Sequence, residues 1–152
     1  FFLKKGVYGN VNNELDISII NKILPQAIKW TQKDIGQSII ADKQSILLYE
    51  NINGTDDLIK RLGKNKKFSK NSYLFIKIKK LNQDNRIDLP TIGYKTIKSL
   101  VKTNIKYIIL QSNSTIILDK KKIFFLIKKF NKVIISANIS YFSHNENCYI
   151  DF

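Results

Sequence analysis

Asp84, Arg86 and Asp88 occupy alternate positions in residues 83–93, QDNRIDLPTIG, a stretch that also holds Pro90, Thr91 and Gly93. Side chains two apart leave the same face of an extended segment. Two carboxylates flanking a guanidinium can hold a metal ion, a phosphate or a water. Only two of the 26 basic residues are arginines. An arginine kept in such a lysine-rich chain points to a planar, bidentate donor that lysine does not replace. The same residue types also build ordinary strand-to-helix corners, as turn formers and caps, and that plainer reading stands beside the chemical one. A second group is Glu50, Gly54, Thr55, Asp56 and Arg61. Gly54 lets backbone approach a ligand closely, with Glu50 or Asp56 in reach. Its plain alternative is a short helix with Thr55 as N-cap and Gly63 as stop, burying Leu58, Ile59 and Leu62.

The elements that must position these groups alternate between strand and helix. Residues 1–15 show no sustained period; Gly6, Gly9, Asn10, Asn12 and Asn13 read as a linker, where a missing domain would join. From Asp16, placed to cap, Ile17, Ile20, Leu24 and Ile28 keep helical spacing, and Pro25 predicts a kink or a fresh start. Trp30 reads as core packing, with base stacking the lesser option. Residues 37–41 and 45–50 predict a hairpin that delivers Glu50 to the next loop. Residues 64–71 read as a basic loop. Residues 72–80 alternate as a strand, with Leu74, Ile76 and Ile78 on one face and Tyr73, Phe75, Lys77 and Lys79 on the other.

Pro90 keeps Leu89 extended, and Ile97, Leu100 and Val101 then recur at helical spacing, so that a helix start beyond Gly93 can face an anion. Residues 106–111 and 115–118 predict a second hairpin. Asp119 caps a helix with Ile123, Leu126, Ile127 and Phe130 on its buried stripe and lysines outside, and Asn131 stops it. Residues 132–137 form a last strand and residues 138–152 a tail, where His144 and Glu146 are a ligand pair only by proximity. The sum is an α/β class fold: a single domain with a mixed β-sheet, two β-hairpins and about four helices.

One domain is expected of 152 residues. The lone Cys148 excludes an internal disulfide and a cysteine-based zinc site. Residues 1–3 do not read as a secretory leader, and no apolar run approaches the roughly 18 residues that span a bilayer. A net charge of +14 invites nucleic acid or anionic lipid as partner. Lysine, isoleucine and asparagine are abundant together, as AT-rich coding produces, so solvated lysine faces are the plain account. Attraction to anionic lipid or a nucleotide phosphate is the sharper one.

On these motifs the chain resembles the LpxI family, the UDP-2,3-diacylglucosamine pyrophosphatases of lipid A biosynthesis. The resemblance is carried by QD-x-R-x-DLPTIG with Thr96 following, by GTD-x-L-I-x-R from Gly54 to Arg61, by DIGQS from Asp34, and by the IILD strand end at Asp119. It covers about residues 16–137 and implies a catalytic C-terminal domain whose N-terminal partner domain is absent from this sequence. The implied reaction is magnesium-dependent (Mg2+) hydrolysis of the pyrophosphate to UMP and lipid X, with water directed at the sugar-side phosphorus.

The resemblance implies Asp84 and Asp88 as catalytic or metal-binding, with Glu50 as a further metal ligand. It implies Arg86, Thr91, Gly93, Gly54, Thr55, Asp56 and Arg61 as phosphate or substrate contacts. The implied partners are the lipid-linked UDP-sugar, a separately encoded N-terminal half, and transient contact with the inner-membrane surface from the cytoplasmic side; nucleic acid is not the expected partner. The chain departs from the family at Asn53, where Glu is usual, at Leu81 and at Tyr94, both usually Pro. An inactive remnant, half of a split enzyme, and a basic nucleic-acid-binding module are the competing readings.

Overall fold

The computed structural model describes residues 2–10, 16–80, 89–142 and 147–151. Isoleucine-rich runs form β2 (Ser38–Ala41), β4 (Leu74–Lys77), β6 (Tyr107–Gln111) and the first half of β8 (Val133–Phe142). β2 and β4 are buried on both faces, and strands so enclosed read as continuous apolar runs. With β1 (Gly6–Gly9) and β3 (Ile46–Tyr49) they make one mixed sheet in the order β1-β8-β6-β4-β2-β3. β4, β6 and β8 are parallel; β1, β2 and β3 join antiparallel to their neighbours.

Helix α1 (Ile17–Thr31) covers one face, its Ile20, Ile23, Leu24, Ala27 and Ile28 packing with the strand residues Ile39, Leu74, Ile76, Tyr107 and Ile109. α2 (Gly54–Lys64), α4 (Tyr94–Leu100) and α5 (Lys120–Lys129) cover the other, burying Leu58, Leu62, Ile97, Leu100, Ile123 and Ile127 against Ile40, Phe75, Ile108 and Ile134. Each such apolar side chain contributes about 1.5–3 kcal/mol when fully buried, so two separate cores clamp the sheet. The mixed α/β domain expected from the sequence is present, with five helices among the described residues where about four were expected.

Several local expectations are corrected. The linker assigned to residues 1–15 contains Leu3, fully buried, and β1, whose residues 6–9 pair with residues 133–136 of β8. Gly9 serves close approach rather than flexibility: at φ +122° a Cβ there would lie 2.4 Å from the Lys132 carbonyl. The loop assigned to residues 64–71 contains α3 (Lys66–Asn71), begun by the Asn65 side chain, which accepts a bond from the Phe68 N–H at 3.0 Å.

Residues 115–118 do not fold back on β6, because β4 and β8 already occupy both its edges. β7 (Ile116–Ile117) instead pairs in parallel with β5 (Thr91–Ile92). The hairpin that replaces it lies in the expected tail: residues 138–142 of β8 pair antiparallel with β9 (Asn147–Asp151). His144 and Glu146 lie outside the described residues. α1 runs unbroken through Pro25; the carbonyl deprived of its partner belongs to exposed Asn21, where water can satisfy it.

The first hairpin stands as expected, β2 to β3, its turn held by Asp42 accepting the N–H groups of Gln44 and Ser45 at 2.7 Å each. Asp16 makes no side-chain cap. Its carboxylate accepts the Tyr73 hydroxyl instead, tying the start of α1 to the sheet. Burial raises the Tyr73 pKa, and the bond to Asp16 raises it further.

Candidate functional site

The parallel strands β4 and β6 end on one rim of the sheet, level with Ala137 of β8, the edge at which open α/β sheets hold ligands. Antiparallel β2 starts there, with Ser38 opposite Lys77, and the Glu50 N–H, just past β3, reaches the Ser38 carbonyl at 2.9 Å. Because side chains alternate along a strand, Ser38 and Lys77 share the face of Ile40 and Phe75, beneath α2. The rim is unusually polar for so buried a place: Gln37, Ser38, Glu50 and Lys77 are all less than one-tenth exposed.

These groups form a chain. The Glu50 carboxylate accepts the Gln37 N–H at 2.5 Å and the Thr55 hydroxyl; Thr55 Oγ1 in turn accepts from Lys77 Nζ at 2.9 Å. Carboxylate, hydroxyl and ammonium are thus aligned. The hydroxyl proton points to Glu50 and a lone pair to Lys77, fixing Thr55 at the start of α2. The approach depends on Gly36, where a Cβ would stand 2.9 Å from Glu50 Oε2 and 2.7 Å from Trp30 Cη2. The ring of Trp30 also packs on Tyr49, centroids 5.3 Å apart, as core packing predicts.

The loop into α2 is equally determined. Asn51 Oδ1 accepts the Asn53 N–H at 2.9 Å and the Asn51 carbonyl accepts the Gly54 N–H at 3.0 Å. Gly54 opens the helix at φ +86°, in the left-handed region that favours glycine, and a Cβ there would meet nothing within 4 Å. The first-turn N–H groups of α2 and their partial positive charge therefore lie beside the Lys77 ammonium. That pairing suits an anion, and a phosphate in particular.

The remaining predicted residues divide. Thr55 is not the N-cap, which is Asn53; its hydroxyl is committed to Glu50. Arg61, expected as a phosphate contact, braces α2: Nε donates to Asp57 at 2.9 Å and one terminal nitrogen donates to the Tyr49 carbonyl at 2.6 Å, pinning α2 to the end of β3. Glu50, expected as a metal ligand, has both oxygens engaged by the chain itself and positions Thr55.

Exposed Asp56 accepts the Thr96 hydroxyl at 3.2 Å and so links α2 to α4. Thr91 donates to the Leu89 carbonyl at 3.2 Å, and extended Gly93 is the N-cap of α4, with open space where a Cβ would lie. No bond among the described residues joins Thr91 or Gly93 to the Glu50–Thr55–Lys77 chain. Asp84, Arg86 and Asp88 lie outside the described residues. Among those described, no three His, Cys, Asp or Glu side chains gather as a metal site.

Compared with known protein families, residues 4–135 match the LpxI C-terminal domain. The chain belongs to this family. The match begins well before Asp16, so β1 is part of the LpxI C-terminal domain and not a lead-in to it. A search of curated proteins found no match. In this LpxI domain the two motif regions that first drew attention, GTD at the head of α2 and TIG at the head of α4, are bridged by Asp56 and Thr96. Lys77, Gln37 and Ser38 escaped the sequence reading. The signal for Lys77 was present: a lysine in phase with Phe75 at the end of an apolar strand.

Proposed function

We propose that this LpxI C-terminal domain takes part in hydrolysing the pyrophosphate bond of UDP-2,3-diacylglucosamine, giving UMP and lipid X on the way to lipid A, together with an N-terminal half. Water adds to the sugar-side phosphorus, the bond from that phosphorus to the bridging oxygen breaks, and UMP leaves with that oxygen. The observation that carries the reading is the buried ammonium of Lys77, held against the start of α2 through Thr55 and Glu50. In a member of this family, such a cation beside a helix start supports a seat for a diphosphate. Electrostatic groups fixed before the substrate arrives need no reorganisation as charge shifts between phosphorus and the leaving oxygen.

In this reading Lys77 and the first-turn N–H groups of α2 beyond Gly54 hold a diphosphate oxygen, and Gly54 allows the close approach. Thr91, Gly93 and Arg86 supply further phosphate contacts. Asp84 and Asp88 would hold magnesium, which would neutralise charge on the diphosphate. One of these also orients the water.

A split site requires both halves, which sets the experiment. UMP release is measured with magnesium for the chain alone and for the chain mixed with an LpxI N-terminal half. Release from the mixture supports the proposal, and loss of that release in Asp84→Ala places the chemistry on this domain. No release in either arrangement refutes it.

A further inference from the structure

On the side of the sheet covered by α2, α4 and α5, the surface between α4 and α5 is an open groove of about 440 Å³. Its apolar wall is Tyr94, Leu126, Phe125 and Phe130, and Phe125 is 64% exposed, turned away from the core that its neighbours Ile123, Leu126 and Ile127 enter. The rest of the lining is Lys98, Lys102, Lys121, Lys122 and Lys129, without a single acid. Two turns of α5 place Lys122, Phe125 and Lys129 in one outward row. A lone exposed apolar side chain is ordinary, but Phe125 stands beside Tyr94 and Phe130 within a ring of five lysines. A helix that lies on a lipid surface combines an apolar side chain directed outward with lysines whose long stems reach the headgroups.

We infer that the α4–α5 face docks on an anionic lipid bilayer, with Phe125 entering the headgroup boundary and the surrounding lysines meeting acidic headgroups. Charge complementarity selects the occupant, since each lysine near such a surface adds to binding. The ring contacts favour lipid over a nucleic-acid strand. Successive stacked bases need several open ring faces, whereas Tyr94 is approached by Lys98 Nζ at 6.0 Å and Lys122 Nζ at 5.9 Å, and Phe130 by Lys129 Nζ at 5.8 Å, which leaves Phe125 as the one open ring of this groove.

The contact is peripheral, because no helix among the described residues is long and apolar enough to cross a membrane. A hollow lined by Lys60, Lys95 and Asp56 continues the basic face toward α2, so docking would bring the head of α2 close to lipid. The inference stands apart from the hydrolase reading, since lipid binding is measured without substrate or turnover.

Co-sedimentation of the chain with phosphatidylcholine vesicles, with and without about one-quarter phosphatidylglycerol, tests it. The expected result is binding to the acidic vesicles alone, falling steeply with added salt. Phe125→Ser and the pair Lys121→Glu/Lys122→Glu should each weaken partitioning by about tenfold or more. Lys22→Glu/Lys33→Glu, on the α1 side, should change it by less than about threefold.

Phe125→Trp gives a second readout that does not depend on loss of function: its emission shifts to the blue on acidic vesicles while Trp30 stays constant. Absence of binding, equal binding to neutral vesicles, unchanged binding by Phe125→Ser, or no emission shift overturns the inference. So does a single-stranded oligonucleotide that displaces the vesicles and is itself lost by Phe125→Ser, which would assign the face to nucleic acid.

Discussion

Replacing Lys77 by methionine isolates what the buried ammonium does. The methionine keeps an unbranched stem of similar length in a position only 7% exposed. It removes the 2.9 Å bond to Thr55 Oγ1, worth about 1 kcal/mol net, and it also removes the need to hold an ammonium away from water. These effects oppose each other, and stability should move by no more than about 2 kcal/mol.

The ligand loses far more. A unit charge about 4 Å from a phosphate oxygen, at an effective dielectric constant near 20, contributes roughly 4 kcal/mol. That corresponds to about a thousandfold in turnover or affinity. UMP release by the reconstituted pair, beside thermal denaturation of the domain, separates the two quantities. Thr55→Ser keeps the hydroxyl relay and should retain most activity, whereas Thr55→Val should behave like Lys77→Met. Activity of Lys77→Met within about threefold of the parent, or a loss explained wholly by unfolding at the assay temperature, refutes the reasoning.

Three further outcomes follow from particular contacts. Gly36→Ala should cost about 1–3 kcal/mol by thermal or urea denaturation, because its Cβ would meet Trp30 and the Glu50 carboxylate at under 3 Å; stability equal to the parent would contradict this. Arg61→Ala should lower stability by about 1–3 kcal/mol through loss of its bonds to Asp57 and the Tyr49 carbonyl, while nucleotide affinity measured on the folded fraction stays within about twofold; a selective loss of affinity would restore Arg61 as a ligand.

Tyr73 gives a pH signature. Its pKa is raised above the ordinary 10.0 by burial and by Asp16, so the folded form keeps its proton where the unfolded chain gives it up. The stability it lends is complete below pH 10 and declines as pH rises above it. Tyr73→Phe should flatten that alkaline limb in denaturation curves, and an unchanged slope would contradict the assignment.

The sequence disclosed the fold class because the strands between β2 and β8 are dense in isoleucine and the helices keep a clear apolar stripe. It misled where a residue type has two uses. Gly6 and Gly9 resemble linker glycines, yet Gly9 is there so that β1 can lie against Lys132. Residues 106–118 have the pattern of a hairpin, but pattern does not reveal that both edges of β6 are taken by strands far along the chain.

At the candidate site, Gly54, Thr55, Asp56 and Glu50 were found by motif. Their hydrogen-bond partners are not legible there, because motif spacing does not say that the Glu50 carboxylate accepts bonds from Gln37 and Thr55. Lys77 was hidden by the 23 other lysines, although its phase with Phe75 marked it as inward. Arg61 stands out by scarcity, and its planar fork is used toward the Tyr49 carbonyl and Asp57.

The central claim, a diphosphate seat formed by Lys77 and the head of α2, is tested most directly by titrating the isotope-labelled domain with UDP and following backbone amide resonances. The account predicts shifts concentrated at Gly54, Thr55, Asp56 and Lys77 that vanish in Lys77→Met. Shifts spread instead over the lysines of α4 and α5, or unchanged by Lys77→Met, would contradict it.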